Sequence, residues 1–323
     1  MPTTPFTVCT YNIRFILDRW PERKHLVEQE LRRAKADLYS LQEVNVGHRY
    51  GQHTQLQATL QEGGSGAYAC FGAPAARRYL ETLPLVGFLF NGAINPLAAL
   101  AYDFNAWFNE RYLASILGPY VQWLYYNPVM QIVTFLSLGT AWVFGTAMYA
   151  RESVRPTRHE QLLIGSWKVA QSVVVTVGDD EILVVNVHLS SARDAEHVRV
   201  EEARLICDWI EAQGVANAMI MGDFNGEPGH ACYLSLEKRG FVSTHKKVHG
   251  AEPAITFHQG LEAPTKDVGE EICLDYIFFK GAMRPTAIRV IGTECSATDK
   301  TIYPSDHFGL VADFQVGEAA KSS

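Results

Sequence analysis

Residues 218–225 read AMIMGDFN and residues 305–310 read SDHFGL, and these two stretches decide how the chain is interpreted. In the first, an apolar run predicts a buried strand that ends in an acid and an amide. In the second, an acid and a histidine come directly before another apolar run. Polar groups at strand ends are typical of sites in α/β proteins. The candidate site residues are Asp223, Asn225, Asp306 and His307.

Four more apolar runs carry a polar side chain of the same kinds at one end. They are TYNIRF (10–15), LQEV (41–44), VNVHLSS (185–191) and LDYIFF (274–279), with Asn12, Glu43, His188 and Asp275 as the polar residues. Taken singly, each has an ordinary structural explanation, such as a turn-forming asparagine, a solvated cap or a hydrogen-bonded histidine. Their recurrence beside apolar runs favours one shared site.

Carboxylates, amides and imidazoles are the groups that hydrolysis of a phosphate ester requires. The phosphate anion repels nucleophiles, so a site must bind its charge, activate a water molecule and stabilise the leaving oxygen. Mg²⁺, or Mn²⁺ in its place, supplies much of this when hard oxygen ligands hold it. The residue types therefore favour a divalent-metal-dependent phosphoesterase.

The hydrophobic pattern predicts short strands interspersed with helices. Helices are predicted over 22–35, 52–61 and 196–211, and strands over 6–13, 37–42, 170–176, 181–188, 218–221, 274–279, 287–291 and 305–314. The elements alternate without an internal repeat, which indicates an α/β protein.

The composition is that of a folded globular chain, with 47% hydrophobic and 20% charged residues. The net charge of −7 does not favour nucleic acid as a substrate, although a local basic cleft would permit it. The six cysteines form no C-x-x-C pair and are expected to be reduced thiols. The N-terminus shows no secretory signal, so we expect a cytoplasmic protein. The sequence predicts no oligomeric state.

An apolar region over 83–144 differs from the rest of the chain. No Asp, Glu, Lys or Arg occurs over 82–102 or over 112–150, although prolines and amides interrupt both stretches. Three interpretations remain open: a segment that lies on or dips into a membrane, extra packing within a soluble domain, and a hairpin that spans the membrane. The first makes the protein membrane-associated.

The motifs TYNIRF, LQEV, VHLSS, GDFN, LDYIFF and SDHFGL together resemble the ordered motif set of the endonuclease/exonuclease/phosphatase superfamily, the DNase I-like fold. The resemblance covers residues 5–81 and 145–315. It implies a four-layer α/β sandwich of two mainly antiparallel sheets flanked by helices. Residues 1–323 would then form a single domain, and residues 83–144 an apolar insertion within it.

The resemblance also implies a metal site and a phosphate site. Glu43 would be the main metal carboxylate, with Asn12 near both the metal and the phosphate. Asp306 would join the metal shell or orient His307. Asn225 would help to bind the phosphate.

The remaining roles concern proton transfer and charge. The resemblance implies that Asp223 orients or deprotonates the attacking water and that His188 contacts the scissile phosphate. His307 would bind a phosphoryl oxygen and stabilise the transition state. Asp275 resembles the acid that orients His188.

Two further stretches suggest substrate contacts. GTAMYAR (145–151) stands where family members carry a different middle strand, and its Tyr149 and Arg151 are candidate substrate ligands. His258, in the TFH that precedes LDYIFF, is either a substrate contact or a structural loop histidine.

Three functions remain open. The first is a metal-dependent phosphoesterase that acts on a small phosphodiester or a lipid-linked phosphate ester. The second is a nuclease or deadenylase-like exonuclease, which would require a basic cleft with aromatic stacking residues. The third is a catalytically silent binding scaffold, which is disfavoured because every motif keeps its chemical group.

Overall fold

The computed structural model describes residues 3–46, 51–62, 66–75, 144–165, 168–263 and 269–317. The predicted apolar insertion lies outside these residues, except for Phe144, its last residue.

The described chain contains twelve strands and five α-helices. The strands are β1 (Thr4–Asn12), β2 (Leu38–Asn45), β3 (Tyr68–Pro74), β4 (Phe144–Arg151), β5 (Arg158–Gly165), β6 (Lys168–Val177), β7 (Asp180–His188), β8 (Asn217–Asp223), β9 (Val242–Ser243), β10 (Asp275–Lys280), β11 (Met283–Ile291) and β12 (Gly309–Val316). The helices are α1 (Trp20–Ala34), α2 (Gln52–Glu62), α3 (Glu196–Gln213), α4 (Ala231–Lys238) and α5 (Thr244–His249).

The strands form two six-stranded sheets. The first has the order β11-β12-β1-β2-β4-β3, and the second has the order β5-β6-β7-β8-β10-β9. Each sheet contains a single parallel pair, β1 with β2 and β7 with β8, and all its other neighbours are antiparallel.

The two sheets and the helices on their outer faces form four layers, and three apolar clusters pack between these layers. One lies between the sheets and includes Val8 of β1 and Met221 of β8. A second joins α1 and α2 to the outer face of the first sheet, and a third joins α3 and α4 to the outer face of the second. Alternate residues of a strand face opposite sides of its sheet, which is how one strand serves two clusters. The predicted four-layer α/β sandwich of two mainly antiparallel sheets is confirmed.

The two parallel pairs bring the predicted site residues to one edge. Asn12 lies opposite Gln42, next to Glu43, and His188 lies opposite Asp223. The sheets meet beneath this edge through a buried contact, in which Gln42 Nε2 donates to Asn186 Oδ1 at 2.8 Å.

Gly222 of the GDFN motif has a positive φ of 148°, and a Cβ at this position would collide with the backbone of Val187. Only glycine allows the strand to pass so close to its neighbour. The glycine of the motif therefore sets the spacing of β7 and β8 just before Asp223.

Candidate active site

A cavity of about 540 Å³ opens at the edge where the parallel pairs end. Its lining includes the predicted residues Glu43, His188, Asp223, Asn225 and His307, and also Arg14, Phe144, Lys168 and Arg193.

Asp223 lies at the centre of the polar cluster. Its Oδ2 accepts a hydrogen bond from Asn12 Nδ2 at 3.0 Å. The same oxygen is 3.6 Å from His188 Nε2 and 3.7 Å from His307 Nε2. Burial raises the pKa of Asp223 to about 6, although the charge of His307 acts in the opposite direction. A carboxylate with this pKa can exchange a proton near neutral pH.

Asn12 joins the two sheets at the site. Its Nδ2 donates to Asp223 and lies 3.3 Å from Glu43 Oε1. Its Oδ1 accepts from the backbone N–H of Arg14 at 3.0 Å, which fixes the orientation of the amide. The nitrogen therefore faces the carboxylates. In this arrangement Asn12 is a hydrogen-bond donor, and its predicted role as a metal ligand would require the amide to turn.

His307 is held by a buried acid. Its Nδ1 lies 2.9 Å from Asp275 Oδ2, and both side chains are almost fully buried. Burial lowers the pKa of His307, but Asp275, Asp223 and Asp306 outweigh burial and raise the pKa to about 10. The ring is therefore an imidazolium at neutral pH, with Nε2 directed towards Asp223.

His188 has surroundings of the opposite kind. Burial lowers its pKa well below the ordinary value, and the positive charges of Lys168, His307 and Arg14 lower it further. The ring of Phe144 lies 6.1 Å away, between centroids. His188 is therefore a neutral imidazole at neutral pH.

Glu43 and Asp306 supply two further carboxylates at the site; Glu43 lines the cavity, and Asp306 is fully buried. Burial raises the pKa of Glu43, Arg14 lowers it, and the charge of Asp306 raises it further. Arg14 also binds Asp306, with its Nη1 3.2 Å from Asp306 Oδ2. Two carboxylates that repel one another provide the hard oxygen donors that a divalent cation binds. Their chemistry fits such a cation.

A second group of donor atoms could also hold a metal ion. The donor atoms of Asp223, Asp275 and His307 lie within 4.8 Å of one another, and all three residues are buried. Asp275 Oδ1 has no hydrogen-bond partner within the described part of the chain. An imidazolium has no lone pair for a metal, however, so this group fits a cation only when His307 is deprotonated.

Arg23 of α1 ties together the two loops that carry the site. Its guanidinium is fully buried and donates to the carbonyl oxygens of Ile13, Arg14, Phe15, Leu17, Asp18 and Pro304. One side chain thereby connects the segment after β1 with the segment that leads to Asp306 and His307. A buried arginine with every donor satisfied fixes the relative position of these loops.

The sequence between residues 9 and 307 matches the profile of the Endonuclease/Exonuclease/phosphatase family. The chain belongs to this family. No curated protein matches the sequence.

Solved structures support the assignment of the fold. A member of this family from Bacteroides thetaiotaomicron superposes with a TM-score of 0.63 at 15% identity, over 98% of this chain and 100% of that one. Truncated Caenorhabditis elegans TDP2 gives 0.60 at 14% identity, over 97% and 98%. A mannosyl-6-phosphatase from Bacteroides thetaiotaomicron VPI-5482 gives 0.61 at 15% identity, over 96% and 99%. At such identities the likeness shows the fold alone.

The acid partners of the histidines differ from those that the family resemblance implied. Asp275 contacts His307 and not His188, because β10 pairs with β8 so that Asp275 lies opposite Asp223. Asp306 contacts Arg14. The expectation that Asp275 orients His188 is therefore wrong.

Tyr149 and Arg151 lie outside the cavity. Tyr149 is fully buried against the helices, and its hydroxyl donates to the carbonyl oxygen of His53. Arg151 binds Asp37, which precedes β2 and so lies at the opposite end of the sheet from Glu43. Both were predicted as substrate ligands. They are instead structural, because β4 runs antiparallel to β2 and ends far from the site.

His258 and Asn225 have defined local partners. His258 Nε2 lies 3.0 Å from the carbonyl oxygen of Ser305, and its ring stacks on Phe308. It thus supports the segment that carries His307. Asn225 Nδ2 donates to the carbonyl oxygen of Leu189 at 3.0 Å, and Asn225 lines the cavity.

Sequence reasoning missed several cavity residues. Arg14 stands inside the TYNIRF motif, two residues after Asn12, and this spacing could have revealed it. Lys168 and Phe144 carry no motif of their own. Only the pairing of their strands brings them to the site.

Among the described residues, no helix is both long enough and apolar enough to cross a membrane.

Proposed function

We propose that this chain is a divalent-metal-dependent phosphoesterase that hydrolyses its substrate by attack of water at the cavity around Asp223. The observation that carries the proposal is the position of Asp223 Oδ2, at 3.6 and 3.7 Å from two imidazoles in opposite protonation states. A base beside a neutral and a cationic imidazole suits chemistry that activates water and binds an anion.

Each of the central residues has a role in this scheme. Asp223 accepts a proton from the attacking water, and Asn12 orients its carboxylate. His307 donates a hydrogen bond from Nε2 to a phosphoryl oxygen and stabilises the developing negative charge. Asp275 keeps His307 protonated. His188, as a neutral ring, positions the phosphate without adding charge.

We assign the cation to Glu43 and Asp306, because His307 as an imidazolium cannot serve as a ligand. When bound, Mg²⁺ or Mn²⁺ would supply charge neutralisation at the phosphate and the leaving oxygen. Arg14, which already binds Asp306, would hold this carboxylate in place.

Metal dependence and hydrolysis are tested together with para-nitrophenyl phosphate and its bis ester as substrates. We expect hydrolysis with Mg²⁺ or Mn²⁺, loss of hydrolysis with EDTA, and recovery when metal is restored. Glu43→Gln should abolish activity. Glu181→Gln, an exposed change at the far end of β7, should leave it intact. Activity that persists in EDTA or in Glu43→Gln would contradict the assignment.

A nuclease is a second candidate, favoured by the basic and aromatic lining of the cavity. Arg14, Lys168 and Arg193 supply positive charge, and Phe144 and Phe257 supply rings on which bases could stack. Turnover of single-stranded RNA or duplex DNA, but not of inositol phosphates or sphingomyelin, would favour this function. Binding of such substrates without turnover in any of these assays would indicate a silent scaffold.

The composition of residues 83–144 supports a membrane-proximal substrate. Over 112–150 the sequence carries no Asp, Glu, Lys or Arg, and Phe144 at the end of this region lines the cavity beside His188. We therefore propose that this region contacts a lipid surface. Wild-type protein should float with liposomes, and deletion of residues 85–140 should end flotation. Wild-type protein that stays unbound would contradict the proposal.

A further inference from the structure

We propose that Lys168 is a further substrate-binding residue, whose ammonium group binds the additional negative charge of a phosphate monoester and so favours monoesters over diesters. The inference rests on the proposed phosphoesterase function and narrows its substrate class.

Lys168 is the first residue of β6 and lies opposite Gly165, the last residue of β5. It is half-buried and lines the same cavity as His188 and Asp223. Its charge acts on His188, while the carboxylates of Asp223 and Glu43 act on Lys168 in turn. The ammonium therefore belongs to the same electrostatic cluster as the proposed catalytic groups.

The described residues offer the ammonium group of Lys168 no hydrogen bond and no ion pair. Arg14 and Arg199, which also line the cavity, are engaged: Arg14 binds Asp18 and Asp306, and Arg199 donates to Glu196 and to the carbonyl oxygens of Ser190 and Ala192.

The carboxylate of Glu202, which also acts on Lys168, accepts hydrogen bonds from the N–H and the hydroxyl of Ser190. The three ammonium donors are thus left for a ligand in the cavity. Burial of a cation without such a ligand is unfavourable, and burial accordingly lowers the pKa of Lys168.

The number of charges on the substrate gives this lysine a consequence for specificity. A phosphate diester carries one negative charge and two non-bridging oxygens. A monoester carries up to two charges and three such oxygens, since its second pKa is about 6. For a diester, His307 and a cation held by Glu43 and Asp306 would be sufficient. A further cation without a protein partner matches the third oxygen of a monoester.

The test compares kcat/KM for para-nitrophenyl phosphate and for its bis ester in wild type, Lys168→Met and Lys168→Arg. For Lys168→Met we expect a roughly tenfold or larger loss with the monoester and at most about a twofold loss with the diester, since a charge-assisted hydrogen bond is lost only with the monoester. Lys168→Arg should retain most of the preference. Lys247→Met, which removes an exposed charge on α5, is the control and should change neither value.

An equal loss with both substrates, or no loss with either, would overturn the inference. Binding of inorganic phosphate by isothermal titration calorimetry provides a readout that does not need turnover. Lys168→Met should raise the Kd by roughly tenfold at about pH 8, where phosphate is a dianion. If wild type binds phosphate through Lys168 but hydrolyses neither ester, the phosphoesterase proposal fails while the anion site stands. If Lys168→Met binds phosphate as tightly as wild type, the anion site fails.

Discussion

His188 and His307 approach the same oxygen of Asp223, yet the surroundings of the two rings shift their pKa values in opposite directions. The region around His307 is acidic, with Asp275 and Asp306 buried beside it. His188 lies 3.9 Å from Glu43 Oε1, but the charges of Lys168, His307 and Arg14 lower its pKa, and the ring of Phe144 lies beside it.

The difference shows how one fold obtains two chemical roles from one residue type. Burial acts against the charge of both rings, and both approach Asp223 Oδ2, at 3.6 and 3.7 Å. Only His307 also has a carboxylate at hydrogen-bond distance, that of Asp275, whereas nearby cations lower the pKa of His188 further. The protonation state of each histidine therefore depends on the side chains that neighbouring elements place against it, and not on the sheet to which it belongs. Substitution of those neighbouring side chains should therefore shift the pKa of one histidine towards that of the other.

The largest effect is expected from Asp223→Asn, which removes the group that the two histidines share. The amide keeps the size of the side chain but cannot accept a proton from water. We expect kcat/KM for a phosphate ester to fall by roughly 10²- to 10⁴-fold, the usual contribution of a general base. Circular dichroism should confirm that the fold is retained. A loss of less than about fivefold would mean that Asp223 is not the base.

Asp275→Asn should make the surroundings of His307 more like those of His188. Without the carboxylate, the pKa of His307 falls and less of the imidazolium remains at neutral pH. We expect activity to fall by roughly 10- to 100-fold, because His307 would lose much of the charge with which it stabilises the transition state. The alkaline limb of the pH–rate profile should move to lower pH. An unchanged limb at reduced activity would assign Asp275 a purely structural role.

The same pair should appear in the pH dependence of stability. The pKa of His307 is raised from 6.5 to about 10 in the folded chain, so its stabilising contribution is complete below about pH 6.5 and is lost as the pH rises through about 10. The destabilisation caused by Asp275→Asn should therefore be larger near neutral pH than above about pH 10. Urea unfolding of both proteins over this range measures the difference. A constant difference would contradict the raised pKa.

The smallest effect is expected at the far end of the first sheet. Arg151→Met removes an ion pair with Asp37 and hydrogen bonds to the Tyr68 hydroxyl and to the carbonyl oxygens of Lys35 and Ala36, which should cost roughly 1–3 kcal/mol of unfolding free energy. Because Arg151 lies outside the cavity, kcat/KM should stay within about twofold of wild type. A larger loss of activity would support the prediction that Arg151 contacts the substrate.

Sequence reasoning located the strand ends well because these depend on local pattern. The buried strand before Asp223 and the strand that ends at His188 agree with β8 and β7 to within a few residues. The predicted strand over 305–314 begins too early, since β12 starts at Gly309. The residues before it lie outside the strand, and of these His307 lines the cavity while Asp306 is buried.

The sequence alone did not predict which side chains on different strands would contact one another. Which acid meets His307 depends on the register of β10 against β8, and nothing local to Asp275 or His307 specifies that register. For the same reason Lys168 was overlooked and Arg151 was misplaced. Both stand on strands whose neighbours come from distant parts of the chain.

The proposed chemistry depends most on the opposite protonation states of the two histidines, and an imidazole nitrogen NMR spectrum tests them directly. At about pH 8, His307 should show two protonated nitrogens and His188 a single one, with His188 still neutral at about pH 6. His188→Asn and His307→Asn assign the signals. If both rings titrate together at about pH 6.5, the proposed roles of a neutral His188 and a charged His307 would be contradicted.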